Sequence, residues 1–393
     1  MESAGAVVVS HGAANAGKTV SPEELERIKA FRRPDVITPY IFKKNPFTEK
    51  ATAEAYLWAQ NAPGLLDVYH TPRELEKFLK FNIGDFAMVG FADCGEEEAT
   101  WLLKYSLWIT IIDDQMDNHP THFRSPEKSM MRFLELNLML MWSFPDDEQL
   151  YNTFVKFLDV DEVVDRAQAL HYVHSKLDEA RLKPGTIYDP PEAHPLCKAF
   201  RDIWTELCEK MPADFLRRWA LVFQYQNLRI FMETRNRKHN TIPSADEHIF
   251  NRRDSIAAKT GLVLVDFLDK VHIPDEIFYC PEMQRIFNAF LDIIVFVNDI
   301  WSFKKEAVLG EVNNLVIILS KEQDCSYTEA GEKIGKMILD SIAEMEKAIG
   351  DLEKVTPPEY QHAVSRYILA TRNLARYIGL WHQENSVRYA QNV

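Results

Sequence analysis

The chain has 393 residues, 46% of them hydrophobic and 26% charged, a globular balance that excludes a disordered or low-complexity chain. Its 45 basic against 59 acidic residues leave a charge of -14, which excludes a broad nucleic-acid footprint; no apolar run approaches the ~18 residues that cross a bilayer. With 14 glycines, about half the usual ~7%, it is a poor candidate for a many-turned β protein or a loop-rich α/β fold.

Residues 1–20 read as a flexible tail of small, weakly charged residues. They lack the basic n-region of a secretory signal, and Val7-Val8-Val9 is too short for its apolar stretch. Gly12 to Thr19 fits the phosphate-cradling pattern G-x-x-x-x-G-K-[ST]. A P-loop needs a helix opening at Gly17, where Pro22 would fall inside and remove a hydrogen bond. Ser21-Pro22-Glu23-Glu24 instead reads as a fresh helix start: Ser21 as N-cap, Pro22 at the first position, Glu24 closing a capping box. The match, expected by chance in about one such chain in seventy, is read as coincidence. A P-loop NTPase is the function it would otherwise carry.

From residue 21 onward, apolar residues recur at three- and four-residue steps between short Pro- or Gly-bearing breaks. The pattern predicts helices over 21–31, 49–60, 72–80, 97–117, 127–143, 147–158, 161–182, 194–209, 213–237, 244–271, 281–308, 327–350 and 356–385. Almost no strand-like alternation and no internal repeat occurs. The expected fold is a single all-α domain over residues 21–393. Five cysteines (94, 197, 208, 280 and 325) are odd in number, scattered and without CxxC, which suits reduced thiols in a cytosolic protein.

Two polar constellations interrupt this apolar pattern. The segment Trp101–Asp117 is apolar until it ends in Asp113-Asp114-Gln115-Met116-Asp117. Asp113 and Asp117 are four apart, so both carboxylates project from one helix face. Acids at a helix C-terminus oppose the macrodipole, and a bound cation would offset that cost. DDxxD alone arises by chance in roughly one such chain in ten. The second constellation is sharper. Asn298, Ser302 and Glu306 form one stripe of oxygen ligands on an otherwise apolar helix, drifting only about 80° over two four-residue steps. NDxxSxxxE occurs by chance in well under about one chain in a hundred. Mutual satisfaction of buried polar groups is the structural alternative. Ligands of oxygen alone, without His or Cys, suit a hard cation such as Mg2+ that shares its shell with substrate phosphates. His171/His174 and His119/His122 lack such a pattern and read as solvated or packed.

Together DDQMD and NDIWSFKKE, 185 residues apart from Asp113 to Asn298, resemble the metal-binding signature of the class I terpene synthases. The resemblance spans roughly residues 35–390. It implies an all-α helical barrel with metal ligands at Asp113, Asp117, Asn298, Ser302 and Glu306, and three Mg2+ ions, with Mn2+ as the substitute. Arg252, 46 positions before Asn298, falls at the family's diphosphate-sensing arginine. Ser255 falls at its linker residue, and Ile256 and Ala257 at the effector break of that helix. Lys305 matches a basic residue that touches diphosphate, and Trp381 with Arg388-Tyr389 resembles the closing RY pair and its upstream tryptophan. Glu233, Arg237 and Pro243 match an "E…R…P" run. The chain departs from many relatives at His248, where they carry Tyr, and at Ala257 and Thr260, where they often have Gly and Pro. Thr110 and Ile109 stand where several have aromatic residues.

The resemblance further implies ionisation of a linear prenyl diphosphate and cyclisation of the cation by a cytoplasmic monomer or homodimer. Farnesyl diphosphate is the expected substrate, with geranylgeranyl diphosphate next. Arg252, Lys305, Arg388 and Tyr389 would grip the diphosphate. Trp381, then Phe86 and Trp301, are the candidate rings facing the cation. A chain-elongating prenyltransferase shares this logic but normally carries aspartate-rich motifs on both helices.

Overall fold

Every regular element that the computed structural model describes is helical. It describes residues 20–34, 44–67, 69, 71–79, 83–88, 90–118, 126–158, 166–189 and 193–384. The Gly12–Thr19 match, His119, His122, Arg388 and Tyr389 lie outside these residues, as does the side chain of Asp117.

The first group of helices is α1 (Pro22–Ala30), α2 (Thr48–Asn61), α3 (Pro72–Leu79), α4 (Ile83–Met88) and α5 (Glu96–Asn118). Then come α6 (Pro126–Ser143), α7 (Glu148–Leu158), α8 (Arg166–Arg181), α9 (Pro195–Lys210) and α10 (Ala213–His239). The last part holds α11 (Ala245–Ser255), α12 (Ala258–Val263), α13 (Val265–Leu268), α14 (Asp275–Phe278) and α15 (Pro281–Leu309). It ends with α16 (Leu315–Glu322), α17 (Tyr327–Val355) and α18 (Gln361–Glu384), the last led in by a 3-10 turn at Pro358–Tyr360.

Local chemistry accounts for the ends. Ser21 Oγ accepts from the Glu24 amide at 3.1 Å with Pro22 at the first helical position. The expected capping box does not close, because the Glu24 carboxylate takes Arg27 and the Tyr327 hydroxyl instead. Reciprocal boxes do form at Ser244/Glu247 and Ser326/Glu329. The short helices α4, α14 and α16 escape periodicity analysis, since one to two turns give too few repeats. The segment expected as one helix over 244–271 is three. Ala257 adopts φ +63°, ψ -4°, and a left-handed residue cannot continue a right-handed helix.

The 29-residue α15 is long and apolar enough by composition to cross a membrane, contrary to the expectation that no such run exists, yet 78% of its most apolar window is buried inside the protein. It packs on α17, α18, α11 and α16. Helix α5 packs on α2, α4 and α9, and α10 on α6, α7 and α11. Two tryptophans fix α5 to its neighbour: Trp101 Nε1 donates to the Ile203 carbonyl at 3.0 Å and Trp108 Nε1 to that of Leu196 at 2.8 Å. Both rings are fully buried, so truncating either to Ala would cost about 3–5 kcal/mol.

A buried ionic cluster ties α10, α13, α14 and α18 together. Arg218, 2% exposed, donates to Asp266 at 3.2 Å, to Asp275 at 3.0 Å and to the Ile273 carbonyl at 3.0 Å. Tyr367 donates to the other Asp266 oxygen at 2.7 Å. Burial pushes Asp266 up to about 6 although Tyr367 and Arg218 oppose it. Among the described residues, which include all five cysteines, there is no disulfide.

Candidate active site

Four helices turn one stripe each toward a cavity of about 270 Å³. Helix α5 contributes Tyr105, Ser106, Ile109, Thr110 and Asp113; α10 contributes Gln226, Ile230, Glu233 and Arg237. From α15 come Phe290, Ile294, Asn298, Ser302, Lys305 and Glu306, and from α18 Leu374, Tyr377, Ile378, Trp381 and His382. Steps of three and four keep each set on one helix face. On α15 the N-terminal part of the stripe is apolar and the C-terminal part polar or charged, and the stripes of α5 and α10 end in Asp113 and in Glu233 and Arg237. The polar end therefore gathers helix C-termini, whose partial negative charge favours a cation.

Arg252, Ser255, Ile256 and Ala257 reach the same cavity from the α11–α12 break. Arg252 Nη2 donates to Asn298 Oδ1 at 3.0 Å, and its Nη1 lies 3.4 Å from Ser255 Oγ and 3.5 Å from Glu233 Oε1. Ser255 donates to Glu233 in turn. Thr260 donates to the Ala257 carbonyl at 2.6 Å and accepts from Tyr105 at 3.0 Å, which secures the break where a glycine is absent. Arg253 does not line the cavity; it grips both oxygens of Asp292 at 2.7 and 2.8 Å.

The α15 stripe is tied from behind by Asn314, the N-cap of α16. Its Nδ2 lies 2.9 Å from Glu306 Oε2 and 3.5 Å from Ser302 Oγ. Burial, reinforced by the nearby Asp299 and Glu311 carboxylates, pushes Glu306 up to about 8. Burial would raise Glu311 too, but Arg237 and the Asn313 and Val312 amides hold it below its usual value. His248 Nε2 sits 2.7 Å from Asp299 Oδ2, which also accepts the Leu315 amide at 2.8 Å. The other Asp299 oxygen is buried with no hydrogen-bond partner, 4.0 Å from Arg252 Nε.

This donor set fits a hard divalent cation. Carboxylate, carboxamide and hydroxyl oxygens face one space, and Glu306 resists ionising without added positive charge. Among the described residues no three His, Cys, Asp or Glu side chains form a closed metal cluster. An open site of this kind leaves coordination positions for phosphate oxygens and water, the habit of Mg2+.

The structure places the three candidate rings differently. Trp381 and Phe86 line the cavity with ring centroids 4.7 Å apart. Trp301 does not; it lies beneath the Arg33 guanidinium, 4.3 Å from its ring centroid, because one residue of α-helix turns it about 100° from Ser302. Phe91, Tyr105, Phe290 and Tyr377 line the cavity and were not anticipated. Phe290 was legible: it continues the Asn298 stripe backward through Ile294 by two four-residue steps.

The chain matches the family model described as terpene synthase family 2, C-terminal metal binding, over residues 156–344. It is 31% identical over 378 residues to alpha-gurjunene synthase of Marchantia polymorpha, covering 91% of this chain and 86% of that protein. Silphinene synthase peniA of Penicillium patulum is 24% identical, with coverages of 89% and 85%. Sesquiterpene synthase 3 of Postia placenta is 24% identical, with coverages of 82% and 74%. Among solved structures, germacradien-4-ol synthase from Streptomyces citricolor superposes with TM-score 0.65 at 17% identity, over 90% of this chain and 99% of that one. Hedycaryol synthase in complex with nerolidol gives 0.66 at 17%, over 89% and 100%.

Proposed function

We propose a reaction and a division of labour on one premise: this chain belongs to the class I terpene synthase family. It is a terpene cyclase, a carbon–oxygen lyase that acts on a prenyl diphosphate and uses a divalent metal. The substrate we assign is farnesyl diphosphate, in keeping with a relative named a sesquiterpene synthase; the twenty-carbon homologue is the competitor.

Asp113 and Asp117 on α5, with Asn298, Ser302 and Glu306 on α15, would hold three Mg2+ ions, which Mn2+ can replace. Bound there, the ions supply Lewis acidity that stabilises negative charge on the diphosphate as its carbon–oxygen bond breaks. Arg252, Lys305, Arg388 and Tyr389 bind and orient that diphosphate. Ser255, Ile256 and Ala257 carry the α11–α12 break to the substrate. Trp381, Phe86 and the other cavity rings exclude water and offer their faces to the hydrocarbon cation, at ~2 kcal/mol or more when desolvated. Residues 21–393 form the catalytic domain and 1–20 a tail outside it. The enzyme acts as a cytoplasmic monomer or homodimer.

The observation that carries this reading is that Asp113, Asn298, Ser302 and Glu306 open onto one cavity together with apolar and aromatic side chains such as Phe290, Ile294, Leu374 and Trp381. Incubation with ten-, fifteen- and twenty-carbon diphosphates and Mg2+, read by gas chromatography, tests it. Cyclic fifteen-carbon products are expected. Elongated diphosphates formed only when isopentenyl diphosphate is added would establish the prenyltransferase instead.

A further inference from the structure

His382 is 1% exposed and lies on the cavity wall, next to Trp381 along α18. Its Nδ1 is 2.5 Å from the carbonyl oxygen of Ile378, one turn back on α18. A carbonyl can only accept, so Nδ1 holds the hydrogen and Nε2 of the neutral ring is an acceptor. Asn298 Nδ2 lies 3.4 Å from that Nε2 and donates to it. On the other side of the same amide, Asn298 Oδ1 accepts from Arg252 at 3.0 Å. Both contacts select one carboxamide orientation. A half-turn would set the NH2 group against a guanidinium and the carbonyl oxygen against a lone pair.

We propose that His382 is a positioning residue for the metal site: it holds the Asn298 carboxamide with the oxygen, not the nitrogen, presented to the cation. The inference rests on Asn298 being a metal ligand. In the loaded enzyme the diphosphate assigned to Arg252 competes with Asn298 for the guanidinium donors. The His382 contact does not enter that competition. An amide nitrogen has no lone pair to give a cation, so an unheld carboxamide presents a useless face for part of the time. The chain of control runs from the Ile378 carbonyl through the imidazole to the carboxamide, an outer-shell arrangement that fixes a ligand's orientation.

Isothermal calorimetry of Mg2+ with inorganic diphosphate reads metal-dependent binding without turnover. His382→Gln keeps an acceptor near the position of Nε2. His382→Asn keeps a donor near Nδ1 for the Ile378 carbonyl but falls short of Asn298. Loss of an outer-shell partner typically weakens metal binding ~10–100-fold, so His382→Asn should bind at least about tenfold more weakly and His382→Gln within about threefold of wild type. Circular dichroism melting of both proteins shows whether α18 is intact; a melting loss shared by the two leaves their affinity difference readable. Wild-type affinity in His382→Asn, or equal weakening in both, would overturn the positioning role. Asn298→Ala separates the two readings. If it too binds normally, Asn298 is no ligand; if it is weakened while His382→Asn is not, only the positioning role fails.

Discussion

Arg252 and Asn298, 46 residues apart in the chain, meet at 3.0 Å across the α11–α15 contact, whereas Arg253 turns to Asp292. One position along a helix is a rotation of about 100°, and it separates a cavity arginine from a structural one. Arg252→Lys keeps the charge but loses the planar fork that grips phosphate oxygens. It should lower kcat/KM by about 10²–10³, the consequence of losing ~3–4 kcal/mol of transition-state contact. Arg253→Lys keeps one contact to Asp292 and should cost ~1 kcal/mol or less of stability with little change in rate. Steady-state kinetics of both decide; a greater loss at Arg253 would show that the wrong arginine has been assigned to the diphosphate.

Asp113 lines the cavity with an exposed side chain, so an isosteric Asn in its place removes no buried apolar packing. Asp113→Asn should reduce turnover by about 10² or more, a loss of ~3 kcal/mol, with an unchanged helical spectrum. Full activity in this variant would remove Asp113 from the metal site.

Ala257 holds a left-handed backbone at φ +63°. That conformation costs an L-residue ~1–2 kcal/mol, and glycine gives back ~0.5–1 kcal/mol through its freer unfolded chain. Ala257→Gly should raise stability by about 0.5–1 kcal/mol in urea unfolding. A destabilised variant would mean that the methyl group makes contacts worth more than the strain.

Asp266 titrates near 6 in the folded protein against an ordinary 3.8. Below the ordinary value both states hold the proton and the linked stability is fully present. As pH rises, the unfolded chain releases its proton first, and the stability is lost by the time pH passes the folded value. Asp266→Asn removes the titration. Wild type should therefore lose stability relative to the variant between about pH 4 and 6, with a flat difference above that window. Urea midpoints across pH measure it; a constant difference throughout would exclude Asp266 as the titrating group.

Trp381 lines the cavity and Trp301 does not. Trp381→Leu should change the ratio of cyclised products on gas chromatography. Trp301→Leu should leave that ratio alone and lower the melting temperature, since it removes the platform under Arg33.

The sequence by itself determined the helical class, most helix positions and the spacing of the polar stripes. These are local properties, set by three- and four-residue periodicity, by N-caps such as Ser244 and Ser326, and by the chemistry of oxygen side chains. The choice of Arg252 over Arg253 came from the family resemblance, through the 46-residue spacing to Asn298. Only tertiary structure decided what those stripes face. Trp301 and Trp381 are both tryptophans on apolar helices, and rotation about the helix axis sent one beneath Arg33 and the other into the cavity. His382 carries no motif, yet packing of α18 against α15 brings its imidazole to Asn298. The break at Ala257 was placed by resemblance, but the left-handed turn is held by Thr260 and, through it, by Tyr105, 155 residues away from Thr260 along the chain. Contacts between residues so far apart leave no periodic trace, because each partner's own neighbourhood reads as ordinary helix.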